Sequence, residues 1–403
     1  MKKIIMLYCF FAVCFTPLIS YAQNRDSLNL PKRDSYGDLN SESLKPGEFP
    51  GSIYFAKENV SLRVGGLIKA MVLYDTKFDR KEEVFLPGLL TPALMNQGQF
   101  YAGARSSRLF IDGRVTTKSK LKMQGYLEMD FRGVSGITLR HAYLKVTNKK
   151  FQSLLFGQFW SLFMDLAAIP EGLVEPTVSG GSFARHGQIR LSQPVGKEGI
   201  ISISAEEPAN NDFAGIRYKP VNSLPDVVAA VVLDPSKVFH FSIAGVGRFI
   251  RIQNDSSGIN YDKTGYAVTG GFVINSDANN KFIIAGIYAD GASNYMLGAT
   301  PLSGGFFTGS ELELQKLYGG FASYRHKWSS SFRSNLTYSI LRSDPVNLNP
   351  GSSFKRGEFI YLNSFWRAHE YLTFGVEYIY GSQYNYNGPT LINSRYQFAI
   401  QLF

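Results

Sequence analysis

From Val60 onward the chain alternates between apolar and polar residues with a period of two. The even positions Val60, Leu62, Val64, Gly66, Ile68, Ala70, Val72 and Tyr74 are apolar or small, while the odd ones include Ser61, Arg63 and Lys69. Such alternation is the signature of a strand with one apolar and one wet face. It is cleanest between Lys120 and Arg132. There Leu121, Met123, Gly125, Leu127, Met129 and Phe131 take one face, and Lys120, Lys122, Gln124, Tyr126, Glu128, Asp130 and Arg132 the other. The pattern recurs to the C-terminus and predicts strands near 60–74, 104–117, 119–132, 136–147, 152–160, 184–193, 199–207, 225–234, 238–253, 263–275, 280–290, 312–326, 330–343, 357–367, 370–382 and 390–403, sixteen in all. Short turns such as Thr117-Lys118-Ser119, His326 to Ser330 and Arg367-Ala368-His369 alternate with longer polar loops. Phe213 to Lys219 has some strand character but is assigned to a loop, because single-chain bacterial barrels have an even strand count.

A soluble β-sandwich shows the same alternation, so what stands on the apolar face decides the fold class. Tyr74, Tyr126, Phe156, Trp160, Tyr288, Tyr324, Tyr338, Tyr361, Trp366, Tyr378 and Tyr380 fall in or at the ends of predicted strands, as expected for aromatic girdles at two membrane interfaces. Composition agrees: charged residues are 18% and aromatics 14% of the chain, too apolar and aromatic for disorder. A helical membrane bundle needs runs of about 20 apolar residues. After residue 22 the longest run is the seven-residue Val227 to Leu233, and the uncharged stretch 291–310 is interrupted by Gly, Ser, Thr and Pro and reads as a loop. The expectation is therefore an all-β protein, a transmembrane antiparallel β-barrel of 16 strands over residues 51–403.

The segments before the barrel carry an address. Lys2 and Lys3 precede an apolar stretch from Ile4 to Ile19, and Ser20-Tyr21-Ala22 supplies small residues at a secretory cleavage site, so residues 1–22 read as a signal peptide. Both cysteines, Cys9 and Cys14, lie inside it, which leaves the mature chain without a disulfide framework, a thiolate metal site or a cysteine nucleophile. Its removal lowers the formal net charge from +10 to +8, that is 40 Lys and Arg against 32 Asp and Glu. Residues 23–50 are polar, carry Pro31, Pro46 and Pro50, and read as a flexible periplasmic segment. They are far too short for the plug of a TonB-dependent receptor. An exported basic chain of this kind is not expected to meet nucleic acid; its surroundings are outer-membrane lipid, and its location the bacterial outer membrane. At the far end, Phe403 shares parity with Gln401, Ala399 and Gln397 while Leu402, Ile400, Phe398 and Tyr396 form the apolar set, so the last residue steps off the strand or a bulge intervenes.

Sixteen strands enclose an aqueous lumen, and function is to be sought on the inward face. Across the first three strands that face carries Arg63, Lys69, Arg108, Arg114, Lys120, Lys122 and Arg132 against Asp112, Glu128 and Asp130, seven positive to three negative. Arg185 or Arg190, Arg248 or Arg251, Arg325, Arg333 and Arg342 follow later. A basic wall of low dielectric concentrates anions, and Arg matches carboxylate or phosphate in bidentate fashion. Lumen ion pairs are the bland alternative, for which Arg108, Asp112 and Arg114 are suitably spaced. The long interruption Ser161 to Phe183 contains Asp165, Glu171 and Glu175 together with Leu162, Phe163, Leu166, Ile169 and Leu173. Those apolar residues are awkward in water, which predicts that the loop folds inward as a constriction, its acids facing the basic wall.

The order Leu155-Phe156-Gly157-Gln158-Phe159-Trp160-Ser161-Leu162-Phe163-Met164-Asp165, then Ile169-Pro170-Glu171 and Arg185-His186-Gly187-Gln188-Ile189-Arg190, resembles the DcaP-like family of outer-membrane porins. Leu139-Arg140-His141-Ala142-Tyr143 and Leu224-Pro225-Asp226 resemble it too, and the likeness runs from about residue 60 to the end. The resemblance implies a homotrimeric, anion-preferring channel for small dicarboxylates and similar anions, and it points at Arg108, Arg114, Arg140, Arg185 and Arg190 as constriction residues. Members of the family can carry an N-terminal periplasmic coiled coil, for which residues 23–50 are too short and too rich in proline.

Enzyme chemistry ranks lower. His240-Phe241-Ser242 places an imidazole and a hydroxyl on one strand face, usable by a lipid-facing hydrolase dyad, but no orienting third group is identifiable. His141, His186, His326 and His369 show no metal spacing, Glu206 and Glu207 point to opposite faces, and the paired glycines lack a following helix or Lys. No metal or cofactor is expected. The reading is a porin passing small hydrophilic anions by passive diffusion; the alternatives are a non-conducting structural or adhesin barrel and, lower, an outer-membrane hydrolase.

Overall fold

A computed structural model describes residues 46–55, 60–78, 83–86, 88, 90–92, 95, 97–133, 136–175, 178–208, 218–299, 304–308, 311–345 and 354–402. The signal peptide, most of the polar segment after it and Phe403 lie outside the described residues. The alternating segments form one closed antiparallel barrel of 16 strands. In chain order these are β1 (Val60–Asp75), β2 (Gln99–Gly103 continuing as Arg108–Thr116), β3 (Lys122–Gly133), β4 (Gly136–Thr147), β5 (Ser153–Trp160), β6 (Arg185–Val195), β7 (Gly199–Glu206) and β8 (Asp226–Leu233). They continue as β9 (Phe239–Asn254), β10 (Asn260–Asn275), β11 (Asn280–Asp290), β12 (Lys316–Lys327), β13 (Phe332–Ser343), β14 (Phe354–His369), β15 (Leu372–Asn385) and β16 (Leu391–Leu402). Each pairs with its sequence neighbours, and β1 closes the ring on β16 through Ile68↔Leu402 to Asp75↔Arg395.

Three boundaries differ from expectation. The predicted 104–117 strand runs over Arg108–Thr116, with a turn at 104–107, and a further segment, Gln99–Gly103, precedes it on the same track against β1. The predicted 312–326 strand starts at Lys316, and Glu311–Leu314 instead pairs with Gly305–Thr308 in a separate hairpin. Of Phe213 to Lys219, expected to be loop, residues 213–217 lie outside the described set, whereas Tyr218 and Lys219 belong to Tyr218–Pro220, a three-residue strand added to the end of β9.

Parity puts the apolar set outside. Val64, Ile68, Leu109, Ile111, Leu144, Ile189, Ile203, Val268, Phe272, Ile284, Tyr288, Leu336, Tyr338, Leu362, Trp366 and Ile400 are exposed, as lipid-facing side chains of a barrel are. The opposite parity lines the bore. Along β16 no register shift occurs, so Asn393, Arg395 and Gln397 face in while Ile392, Ile400 and Leu402 face out.

Loops at one end are long and turns at the other short, which by the rule for such barrels makes these the outer and periplasmic ends. At the short-turn end residues 46–55 fold against β1 and β2: Ile53–Phe55 pairs with Val60–Leu62, Glu48 N donates to Ser61 Oγ at 2.8 Å, and Arg114 lies 4.1 Å over the Phe49 ring.

Candidate functional site

The loop 161–184 folds into the bore, as its apolar content requires, and it runs round most of the inner wall. Its neck is closed by Ser161 N to Ala184 O at 2.9 Å. On β7, Glu206 receives Ser161 Oγ at 2.7 Å and Leu162 N at 2.8 Å. Phe163 is then buried against Val228 and Ala230 of β8, Ala244 and Val246 of β9 and the ring of Tyr295. Asp165 receives His240 Nε2 at 2.9 Å and Ser242 Oγ at 2.6 Å from β9. Further on, Ala167 O accepts Lys281 Nζ of β11, Glu171 pairs with Arg333 of β13, and Leu173 N donates to Glu377 of β15 at 3.0 Å. Lys69 Nζ of β1 holds Leu173 O at 2.9 Å. Glu175 then reaches β2, β3, β4 and β6, and Ser179 N returns to Ser339 Oγ of β13 at 3.1 Å.

Glu175 and Ser179 thus touch opposite walls. Val178 is buried with Phe321 of β12. Gly180 makes the close approach possible. It has φ +71, and a Cβ there would lie 2.4 Å from Ile340 O and 2.5 Å from Gly320 N of the wall.

Two further loops fold inward, which the sequence reading did not anticipate. Residues from 76–98 bring Phe78, Phe85, Leu86 and Leu90 onto Phe359, Tyr361 and Ile379 of β14 and β15. Arg395 fixes the base of this loop through Asp75, at 2.9 and 2.8 Å, and Glu83 O at 3.0 Å. The third segment, after β11, buries Ala292, Tyr295, Met296 and Ala299, and Leu297 exchanges backbone hydrogen bonds with Gly180 and Gly181. The usable signal was the one applied to loop 161–184: Phe, Leu, Tyr and Met in a segment named a loop have to be covered by something. Together these loops cover the inner wall from β8 round to β16, where Val228, Val246, Leu317, Thr337, Leu341, Tyr361 and Asn363 are all buried.

The basic arc from β1 to β6 stays accessible. A bulge contributes: between Glu128↔His141 and Met129↔Leu139, Arg140 has no register partner, so Arg140 and His141 both turn inward. Arg140 is 1% exposed, and its guanidinium holds Glu128 at 2.6 Å, Asp130 at 2.8 Å and Glu175 at 2.6 Å. Arg108 and Arg132 reach the same Glu175 carboxylate at 2.7 and 2.8 Å, and Arg185 stands 3.7 Å away with its guanidinium 4.2 Å over the Trp160 ring. Burial alone would raise the Glu175 carboxyl, but the surrounding Arg132, Arg140, Arg108 and Arg185 lower it from an ordinary 4.5 to about 2. Towards the short-turn end the arc continues as Arg63, Arg114, Lys122, Lys145 and Arg190, beside rings of Phe110, Tyr126, Tyr143 and Phe159.

Of the expected site residues, Arg108, Arg132, Arg140, Arg185, Glu175 and Lys69 come together, although Lys69 and Arg140 are engaged by the loop and other acids. Arg63, Arg114, Lys122 and Arg190 line the wider part of the bore, with Arg114 paired to Asp112 at 2.7 Å and Arg190 donating to Gln188 Oε1 at 2.8 Å. Asp165 and Glu171 anchor the loop elsewhere. The expected Arg108–Asp112–Arg114 ladder is half formed, since Arg108 turns to Glu175 instead. Arg248 faces in, buried against Asp226 at 3.0 Å, whereas Arg251 faces out and pairs with Asp262 at 2.7 Å. The lipid-facing reading of His240 and Ser242 is corrected: their parity is that of the buried Ala244 and Val246, and both side chains point into the lumen and bind Asp165.

A closed barrel of 16 antiparallel strands with an apolar exterior and loops folded into its bore is the architecture of outer-membrane porins. Solved structures share it. The outer-membrane channel DcaP of Acinetobacter baumannii is similar with a TM-score of 0.77 at 21% identity, covering 87% of this chain and 99% of that one. An anion-selective porin from Comamonas acidovorans follows with 0.60 at 10% identity, over 85% and 99% of the two chains. The trimer form of OmpT, an outer-membrane protein of Vibrio cholerae, gives 0.54 at 12% identity over 85% and 99%. No protein-family model and no curated protein matches the sequence. The resemblance to DcaP-like porins therefore extends to the fold.

Proposed function

We propose that the protein is an outer-membrane porin that passes small hydrophilic anions, carboxylates or phosphate-like ions, by passive diffusion, and that it works as a homotrimer. The observation that carries this reading is the asymmetry of the bore. Loops seal the wall from β8 to β16, and the accessible arc from β1 to β6 presents Arg63, Arg114, Lys122 and Arg190, with the Arg108–Arg132–Arg140–Arg185 cluster at the narrow level. A solute taking this route meets guanidinium and ammonium groups in a low-dielectric wall, which draws anions in and repels cations. The fold's likeness to an anion-selective porin supports the preference, and its likeness to a trimeric barrel supports the assembly.

The test is swelling of liposomes carrying the refolded mature protein. Succinate is expected to enter faster than a neutral solute of the same size, and ethylenediamine more slowly. Equal rates for all three contradict the anion preference. The extent of loop filling favours the non-conducting barrel as second reading, and liposomes that swell in none of the solutes select it.

A further inference from the structure

Glu175 occupies the basic cluster in the manner of a bound ligand. Its two oxygens are shared among separate guanidinium groups, Oε1 between Arg108 and Arg140 and Oε2 to Arg132, rather than forked onto one arginine as in Arg333–Glu171 and Arg395–Asp75. The cluster is overbuilt for this one carboxylate. Four guanidinium groups face three carboxylates, Glu128, Asp130 and Glu175, so one positive charge is left over. Arg185 is the underused member: 3.7 Å from Glu175, resting on Trp160, with its buried Nε lacking a hydrogen-bond acceptor. The polypeptide on either side is held by other means. Leu173 is fixed by Glu377 and Lys69, Ser179 by Ser339, and Val174 is buried, so the loop's position does not depend on the Glu175 carboxylate alone.

We propose that Glu175 is a tethered pseudo-ligand: the loop's own carboxylate fills the anion site formed by Arg108, Arg132, Arg140 and Arg185, and a permeating carboxylate passes the narrow level by taking its place. The inference rests on the porin reading above and specifies how its narrow site is regulated. Glu175 sets a threshold, because a free anion has to compete with a carboxylate that is always nearby. A low carboxyl pKa keeps this internal competitor ionised at all physiological pH values. If the tethered group occupies the site nine-tenths of the time or more, apparent affinity for a free anion is reduced about tenfold or more.

The experiment compares wild type with Glu175→Gln, which keeps the side chain's size and removes its charge. Succinate binding to the folded protein in detergent is measured by calorimetry, and the succinate concentration that half-blocks chloride current is measured in planar bilayers. Glu175→Gln is expected to bind and half-block at a concentration about tenfold lower than wild type. Glu175→Asp, which keeps the charge on a shorter arm, is expected to fall between them and serves if the Gln variant does not fold. Equal or weaker succinate binding by folded Glu175→Gln or Glu175→Asp overturns the proposal. A barrel without current, in which succinate binding is nonetheless gained on mutation, removes the porin reading and leaves the pseudo-ligand standing.

Discussion

Phe163→Ala separates the stability of the loop from that of the barrel. The Phe163 ring is 0% exposed, seated among Val228, Ala230, Ala244 and Val246 and edge-on to Tyr295 at 5.5 Å. Truncating a buried Phe to Ala costs about 3–5 kcal/mol, a transfer term plus a cavity term. Here nearly all of that falls on docking of the loop, since Phe163 lies outside the barrel's strands and the strand ladder is unchanged. The ratio of docked to undocked loop is then expected to fall by roughly two to three and a half decades. Two assays read this. A Glu-specific protease, with the Glu171–Gly172 bond as its target inside the loop, is expected to cut the variant and spare wild type. Single-channel records are expected to show larger mean current with added open-channel noise. A Phe163→Ala barrel with wild-type protease resistance and wild-type noise refutes the claim that this apolar seat holds the loop.

Other perturbations divide the basic residues by role. Arg140→Leu leaves Glu128, Asp130 and Glu175 without their shared buried partner and is expected to cost about 3–5 kcal/mol, seen as a lower melting temperature. Arg114→Gln is expected to lower the melting temperature less than Arg140→Leu, because that side chain is 45% exposed, and to move the reversal potential in a salt gradient toward zero. Gly180→Ala puts an L side chain at φ +71 against Ile340 O; a cost of at least about 1 kcal/mol to loop docking is expected, read by the same protease assay. Glu175 gives a pH signature. Its carboxyl is lowered in the folded protein, so its contribution is fully present above the ordinary value of 4.5 and is lost as pH falls toward about 2. Loop protection is expected to hold from pH 7 to about 4.5 and to decline below it, and protection that fades between pH 7 and 5 contradicts that assignment.

Strand periodicity made the barrel legible because a two-sided wall writes its two solvents directly into alternate residues. Val60 to Tyr74 and Lys120 to Arg132 name both faces without help from the rest of the chain. The loops were less legible, since what covers Phe78, Phe85 or Tyr295 is an inner wall assembled from strands far away in sequence. The arginines fall between these cases. Parity places Arg63, Lys69, Arg108, Arg114, Lys122 and Arg132 inside, but whether a guanidinium faces water or a carboxylate depends on where one loop acid lands. The bulge that turns Arg140 inward beside His141 breaks the very periodicity on which such reading depends. His240 and Ser242 make the same point from the other side: two residues apart they suggest a dyad, whereas both bind the loop's Asp165, 75 residues before His240, and His240 also bonds Asp234.

Ion preference is the property that the basic arc from β1 to β6 is expected to set. The direct measurement is the reversal potential of the refolded mature protein in a planar bilayer under a tenfold potassium chloride gradient. Stepwise conductance with a reversal potential on the chloride side is the predicted result. A reversal potential on the potassium side contradicts the claim that the basic arc from β1 to β6 governs passage.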